Sequence, residues 1–195
     1  MIAPEKLLEA AKALEPQLQE WRRTLHRHPE VGFDLPQTKA LVKKALTEMG
    51  YTPQDCGKCG VLALAGGKRP GKTILLRADM DALPIQEANE VEYISRHEGI
   101  MHACGHDNHM AMLLGTAKIL NEVKDELSGD VRLVFQPAEE TAVGALQMMK
   151  EHALDGVDAI YGVHVWGTYD APGIAFPAGN LTVSYTHLRA HETSL

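Results

Sequence analysis

A thiol and three imidazoles fall within eight residues in Met101-His102-Ala103-Cys104-Gly105-His106-Asp107-Asn108-His109, directly ahead of an apolar run at helical spacing. This stretch constrains the fold more than any other. Cys104 and His106 are two apart, which puts their side chains on one side of an extended segment but on opposite sides of a helix. Gly105 between them lets the backbone bend sharply or approach a bound ion. A thiolate and an imidazole on one side of a loop form a divalent-metal signature. Met110, Leu113, Leu114, Ala117 and Leu120 then repeat at helical spacing, so a helix starts just past His106 with its N-terminus facing that loop. Met110 and Met112 are expected as core filler.

The flanking segments read as alternating helices and strands. Leu7, Ala11, Leu14, Leu18, Trp21 and Leu25 form one helical stripe that Pro16 interrupts, predicting a kink or two helices meeting there. His26-Arg27-His28-Pro29-Glu30 ends that helix, and its histidines are read as structural or capping. Pro36 opens another helix, with Val42, Ala45, Leu46 and Met49 inward and Gly50 as its stop. Cys56-Gly57-Lys58-Cys59 has no partner pair and leads into a strand, so it reads as two incidental thiols in a turn. Val61 to Ala65 and Thr73 to Arg77 are β-rich runs joined by Gly66-Gly67-Lys68-Arg69-Pro70-Gly71, a hairpin-like connection. Residues 85–100 read as loop, with His97 exposed rather than a ligand.

Chemistry-bearing side chains collect at strand ends. Asp79 and Asp81 follow one strand, where open α/β sheets place their chemistry, although solvated turn carboxylates give the same pattern. Val131 to Gln136 is a buried-type strand that leads through Pro137 and Ala138 to Glu139 and Glu140. A helix carrying Ala145, Met148 and Met149 comes next. Neighbouring side chains point different ways, so two adjacent glutamates can do two jobs. His164 ends the apolar run Asp158 to Val165. One thiolate, two imidazoles and a carboxylate exceed what one open zinc site takes from protein. That inventory suits two metals sharing a bridging ligand, with a further glutamate free as base.

Composition closes off other classes. The 195 residues make one ordinary domain or a large piece of one, and 45% apolar content suffices for a core. A net charge of −7 without a basic cluster argues against nucleic acid and anionic membrane surfaces as partners. No signal peptide or membrane-length apolar run is visible, and three cysteines suit a reducing cytoplasm. There is no H-E-x-x-H, no G-x-S-x-G and no phosphate-cradling glycine loop.

Arg77 to Pro84, Met101 to His109, Gln136-Pro137-Ala138-Glu139-Glu140 and Gly162-Val163-His164-Val165-Trp166 occur in the order of the blocks of the M20 metallopeptidase family, and Arg23 to Glu30 matches as well. The chain resembles the branch of bacterial N-acyl-amino-acid amidohydrolases, hippurate hydrolases and plant auxin-conjugate hydrolases. The resemblance implies an α/β fold, the αβα three-layer zinc-peptidase-like catalytic domain, binding two divalent ions. Cys104 would bridge them, with His106, Glu140 and His164 as further ligands, Glu139 as general base and Asp81 as a supporting carboxylate. Other M20 branches carry a histidine ligand at the place of Asp79, whose role stays open. The ions would be zinc, which thiolate softness favours, or manganese, with cobalt and nickel as further choices. The substrate would be a small N-acyl amino acid, and the full-length protein a cytoplasmic homodimer.

The resemblance ends near Thr182-Val183. Residues 1–183 then form the N-terminal portion of the catalytic domain, with the lid and dimerisation domain absent and one histidine ligand missing. Residues 184–195 resemble translated adapter read-through and read as a non-native or unstructured tail, including His187 and His191. On this reading the chain alone binds metal weakly and turns over negligibly. Two other readings carry tests of their own. A thiol-rich metal or redox module requires Cys56, Cys59 and Cys104 together, whereas a non-catalytic interaction domain on the same fold has dispersed ligands or Glu139 turned away.

Overall fold

The computed structural model describes residues 3–167 and 173–174. The chain divides into two units, residues 1–165 and 166–195. Every described helix and strand lies in the first, and the few described residues of the second form neither. The expected tail, residues 184–195 with His187 and His191, lies outside the described residues.

Two helices meet at the interrupted stripe, α1 (Pro4–Ala13) and α2 (Glu15–Arg27). Pro16 falls in the first turn of α2, where its missing N–H has no intrahelical partner to lose. Next comes α3 (Pro36–Glu48), which buries Val42, Ala45 and Leu46 and stops before Gly50 at φ +88°. Its first amides are capped from outside the helix, since the Glu30 carboxylate accepts from Gln37 N (3.1 Å) and Thr38 N (2.8 Å).

Five strands follow, β1 (Gln54–Cys56), β2 (Gly60–Gly66), β3 (Arg69–Asp79), β4 (Ser128–Gln136) and β5 (Ala159–Gly162), in the sheet order β1-β2-β4-β3-β5. The hairpin expected between β2 and β3 does not form. β4 lies between them, antiparallel to β2 and parallel to β3. The glycine-rich link crosses the start of β4 in backbone-to-backbone contact, with Gly67 N–H donating to Gly129 O (2.9 Å). A Cβ on Gly71 would sit 2.5 Å from Gly129 N, so only glycine permits this crossing.

Helices α4 (His106–Glu122) and α5 (Gly144–Lys150) complete the connections. As the crossover between parallel strands requires, α4 packs back onto the sheet between β3 and β4. The main core joins Leu25, Val42, Leu46, Met110 and Leu114 to Val61, Leu133 and Phe135 on one sheet face. On the other face Leu75 and Val134 meet Cys56, Met148 and Ala153. The layers are therefore helix, sheet and helix. Met110 is fully buried, but Met112 is 37% exposed and does not fill the core, because it lies on the outer side of α4.

Strands β3, β4 and β5 run parallel, so their C-terminal ends share one edge. Asp79 and Asp81, Glu139 and Glu140, and His164 all follow those ends, and α4 begins there.

Candidate metal centre

Three groups of side chains meet at this edge with ligand atoms all within 4.8 Å of one another: Cys104, His106 and His164; His106, Glu139 and Glu140; and Asp79, His106 and His109. His106 is common to all three. Its Nδ1 donates to the backbone carbonyl of Asp81 (2.7 Å), leaving Nε2 with its lone pair. That Nε2 is buried without a hydrogen-bond partner, 3.6 Å from Glu140 Oε1 and 3.8 Å from Glu139 Oε2. His164 is held the same way, donating from Nδ1 to the Val165 carbonyl (2.6 Å) while Nε2 lies 3.4 Å from Cys104 Sγ.

The backbone is shaped for this meeting. Gly105 sits left-handed (φ +86°) at the start of α4, and a Cβ there would lie 2.3 Å from Val165 Cγ2. Glycine is therefore needed twice, for its φ and for its closeness to the His164 segment. On the facing turn, buried Ala138 takes φ +48°, an uncommon value for a non-glycine residue. The Asp81 carboxylate accepts from Glu139 N (2.8 Å) and Glu140 N (3.2 Å). One buried aspartate thus fixes both glutamates by its side chain and His106 by its carbonyl.

The local field calls for a cation. Burial first, then Glu140, Glu139 and Asp79, push the Cys104 thiol up to about 12. Burial, with Asp79 and Glu140, also raises the Glu139 carboxyl against the opposing pull of His106 and Arg77. A thiol among carboxylates keeps its proton until a cation enters; then it becomes the better ligand. The orphaned His106 Nε2, the sulfur and the carboxylates fit a divalent ion in chemistry and reach.

Two residues outside the expected ligand set bear on the site. Asp79 accepts from Arg77 Nη1 (2.7 Å) and from His109 Nδ1 (2.6 Å). Although burial, the strongest influence, raises it, those two partners and His106 hold its carboxyl well below the ordinary range. His109 occupies the position three after His106 on α4, and that i, i+3 spacing was the signal available for it. His102, by contrast, belongs to none of the three groups, and burial lowers its pKa to about 4.

The histidines of the Arg23–Glu30 segment are structural, and His28 takes the C-cap position of α2. His26 is buried with a carboxylate on each nitrogen, Asp107 Oδ2 (2.7 Å) and Glu87 Oε1 (3.0 Å). Cys56 and Cys59 pack in separate core clusters, and neither joins a ligand group with Cys104. The thiol-rich module loses its basis there. Among the described residues the expected ligands are not dispersed, since their groups share His106.

Fold and site together define an αβα domain with a Cys/His/Glu cluster able to hold a metal ion at the C-terminal edge of its parallel strands. The chain belongs to peptidase family M20/M25/M40, whose model matches residues 75–193 and so runs past Val183, where the motif resemblance ends. It is 44% identical over 161 residues to an N-acyl-L-amino acid amidohydrolase of Geobacillus stearothermophilus, covering 82% of this chain and 44% of that protein. It is 49% identical over 152 residues to an N-acetyl-L-cysteine deacetylase of Bacillus subtilis, covering 77% of this chain and 36% of that one. Among solved structures it resembles a Bacillus subtilis protein described as a dinuclear metal binding peptidase from M20 family. That likeness has a TM-score of 0.76 at 44% identity and covers 78% of this chain and 43% of the other. The chain thus spans less than half the length of each of these relatives.

Proposed function

We propose that these residues form the metal centre of an amidohydrolase that cleaves N-acyl amino acids, or related small amide conjugates, to a carboxylic acid and a free amino acid. The observation that carries the reading is the convergence of Cys104, His106 and His164 with Glu139 and Glu140 around the unpartnered His106 Nε2. The names borne by the similar proteins supply the substrate class. Because the chain spans less than half of them, the activity is proposed for the whole protein.

Cys104, His106, Glu140 and His164 would hold the divalent ions, two on this reading. Zinc suits the thiolate, and manganese, cobalt or nickel are the alternatives to be separated by reconstitution. Bound there, the ions would lower the pKa of a water, polarise the amide carbonyl and stabilise the oxyanion. The remaining work belongs to the protein. Glu139, whose side chain is 39% exposed against 22% for Glu140, faces the open side of the site. A carboxylate placed there can take the proton of the attacking water and pass it to the leaving nitrogen. Asp81 holds the Glu139–Glu140 turn by both amides, so that one carboxylate would be placed to ligate while its neighbour stays free.

A reducing cytoplasm accords with the three unpaired cysteines. The resemblance to M20 amidohydrolases leads us to a homodimer for the whole protein, acting on a small molecule rather than on nucleic acid or membrane. No described helix is long and apolar enough to cross a bilayer.

The test is the whole protein, stripped of metal, reloaded with zinc, manganese, cobalt or nickel and assayed on a panel of N-acyl amino acids. Glu139→Gln is expected to keep its metal and lose roughly two or more orders of magnitude in kcat. Near-normal turnover in that variant would contradict the base assignment, and no hydrolysis by any metal-loaded form of the natural sequence would overturn the reading.

A further inference from the structure

Among the described residues, the His164-bearing segment lies in no strand. β5 ends at Gly162, two residues earlier, and residues 163–166 are irregular and exposed along most of their length. A ligand on such a segment needs an anchor from the rigid part of the molecule. The described structure supplies one through His109.

His109 is 3% exposed and its two ring nitrogens have different tasks. Nδ1 lies 2.6 Å from Asp79 Oδ1, and the Val165 amide donates to Nε2 at 3.0 Å. An ionised carboxylate only accepts and a backbone amide only donates, so the pair dictates one tautomer, with the proton on Nδ1 and the lone pair on Nε2. Asp79 is itself braced by Arg77 Nη1 at 2.7 Å, and Arg77 Nε donates to Gln136 Oε1 at 2.9 Å. A continuous chain therefore runs from the ends of β3 and β4 through Asp79 and His109 to the amide next to His164. The His109 ring also packs edge-on against the His164 ring, with centroids 4.7 Å apart, and lies 5.5 Å from the His106 ring.

We infer that His109 is a positioning residue that clamps the His164 segment to the sheet by relaying Asp79 to the Val165 amide, and that it is not itself a metal ligand. Asp79, His106 and His109 are close enough to form a ligand group, but both His109 nitrogens are already used. The role explains why an aspartate at the end of β3 has its oxygens taken up by Arg77 and His109. The inference rests on the metal-centre reading for its consequence, while the clamp itself is a hydrogen-bonding arrangement with its own readout.

Two measurements test it in the full chain. Long-range nitrogen-15 NMR of the imidazoles is expected to show His109 protonated at Nδ1 with Nε2 accepting; a proton on Nε2 would overturn the clamp. Cobalt titration, followed by the Cys104 thiolate-to-cobalt charge-transfer band and by total cobalt bound, gives the consequence. His109→Phe keeps a ring against its neighbours but deletes both hydrogen bonds, and is expected to weaken cobalt binding roughly 10- to 100-fold, as loss of a ligand-orienting partner does. His109→Gln restores an acceptor for the Val165 amide and is expected to recover most of that loss. Natural affinity in His109→Phe, or equal weakening in both variants with equal falls in Tm, would reduce His109 to a structural residue. If the unaltered protein gave no charge-transfer band, the metal-centre reading would fail, and the NMR tautomer would still decide the clamp. That NMR result also decides the case in which His109→Phe fails to fold.

Discussion

Gly105 carries two constraints at once, a left-handed φ and a position where any Cβ would lie 2.3 Å from Val165 Cγ2. Gly105→Ala therefore strains the start of α4 and displaces the segment next to His164. The expected loss is about 1–2 kcal/mol from the backbone alone, read as a lower denaturant midpoint, together with weaker metal binding. Unchanged stability would mean that the loop relaxes at no cost. Asp81 is the other residue on which several depend. Replacing it with alanine leaves the Glu139 and Glu140 amides without their acceptor. Cys104, His106, Glu139 and Glu140 were legible because their types and spacing state their chemistry. The acceptor role of Asp81 and the clamp by His109 were not, because each is made across long sequence separations, Asp81 to Glu139 and His109 to Val165. Spacing within one segment carries no trace of such pairs.

Among the elements, the irregular stretch between β3 and α4 is tied down at two levels. Leu83 and Met101 exchange backbone hydrogen bonds at 3.0 Å and close its neck. Inside the loop Glu87 accepts from the Ser95 amide (2.7 Å) and from His26 on α2. Burial, the largest influence on His26, lowers its pKa, yet the hydrogen bonds to Asp107 and Glu87 outweigh it and the net shift is upward from 6.5. The protonated ring therefore stabilises the fold fully below pH 6.5, and that contribution fades as pH rises through the higher folded value. Glu87 behaves oppositely. Burial raises its pKa, but the hydrogen bonds from His26, Ser95 and Asn89 bring it below 4.5, so its contribution is lost on acidification through that lower value. His26→Phe is expected to cost about 1.5–3 kcal/mol near pH 6, because Asp107 and Glu87 each lose a charged hydrogen-bond partner while keeping Arg22, and Ser95 with Asn89, respectively, and the deficit should narrow toward pH 9. Chemical denaturation of both forms across that range checks it, and a deficit independent of pH would contradict the charged-ring account. The strands and helices were largely readable from periodicity. The β2–β3 pairing was not, since glycine spacing marks a turn but does not say which strand enters beside it.

At the scale of the whole molecule, three parallel strands place their C-terminal ends on one edge, and every candidate ligand follows from that alignment. β5 is the outer strand of the described sheet, with Ile160 and Tyr161 more than half exposed. The ordered motifs pointed to the family because four separated blocks must all be present for one centre to assemble. Substrate choice within the family has no comparable signature in these residues. The most direct test of the centre is X-ray absorption on the zinc-loaded protein and on its Cys104→Ser variant. The account predicts a sulfur neighbour at about 2.3 Å with nitrogen and oxygen at about 2.0–2.2 Å, and loss of the sulfur in the variant. A zinc ion with no sulfur neighbour, or one whose sulfur survives Cys104→Ser, would contradict it.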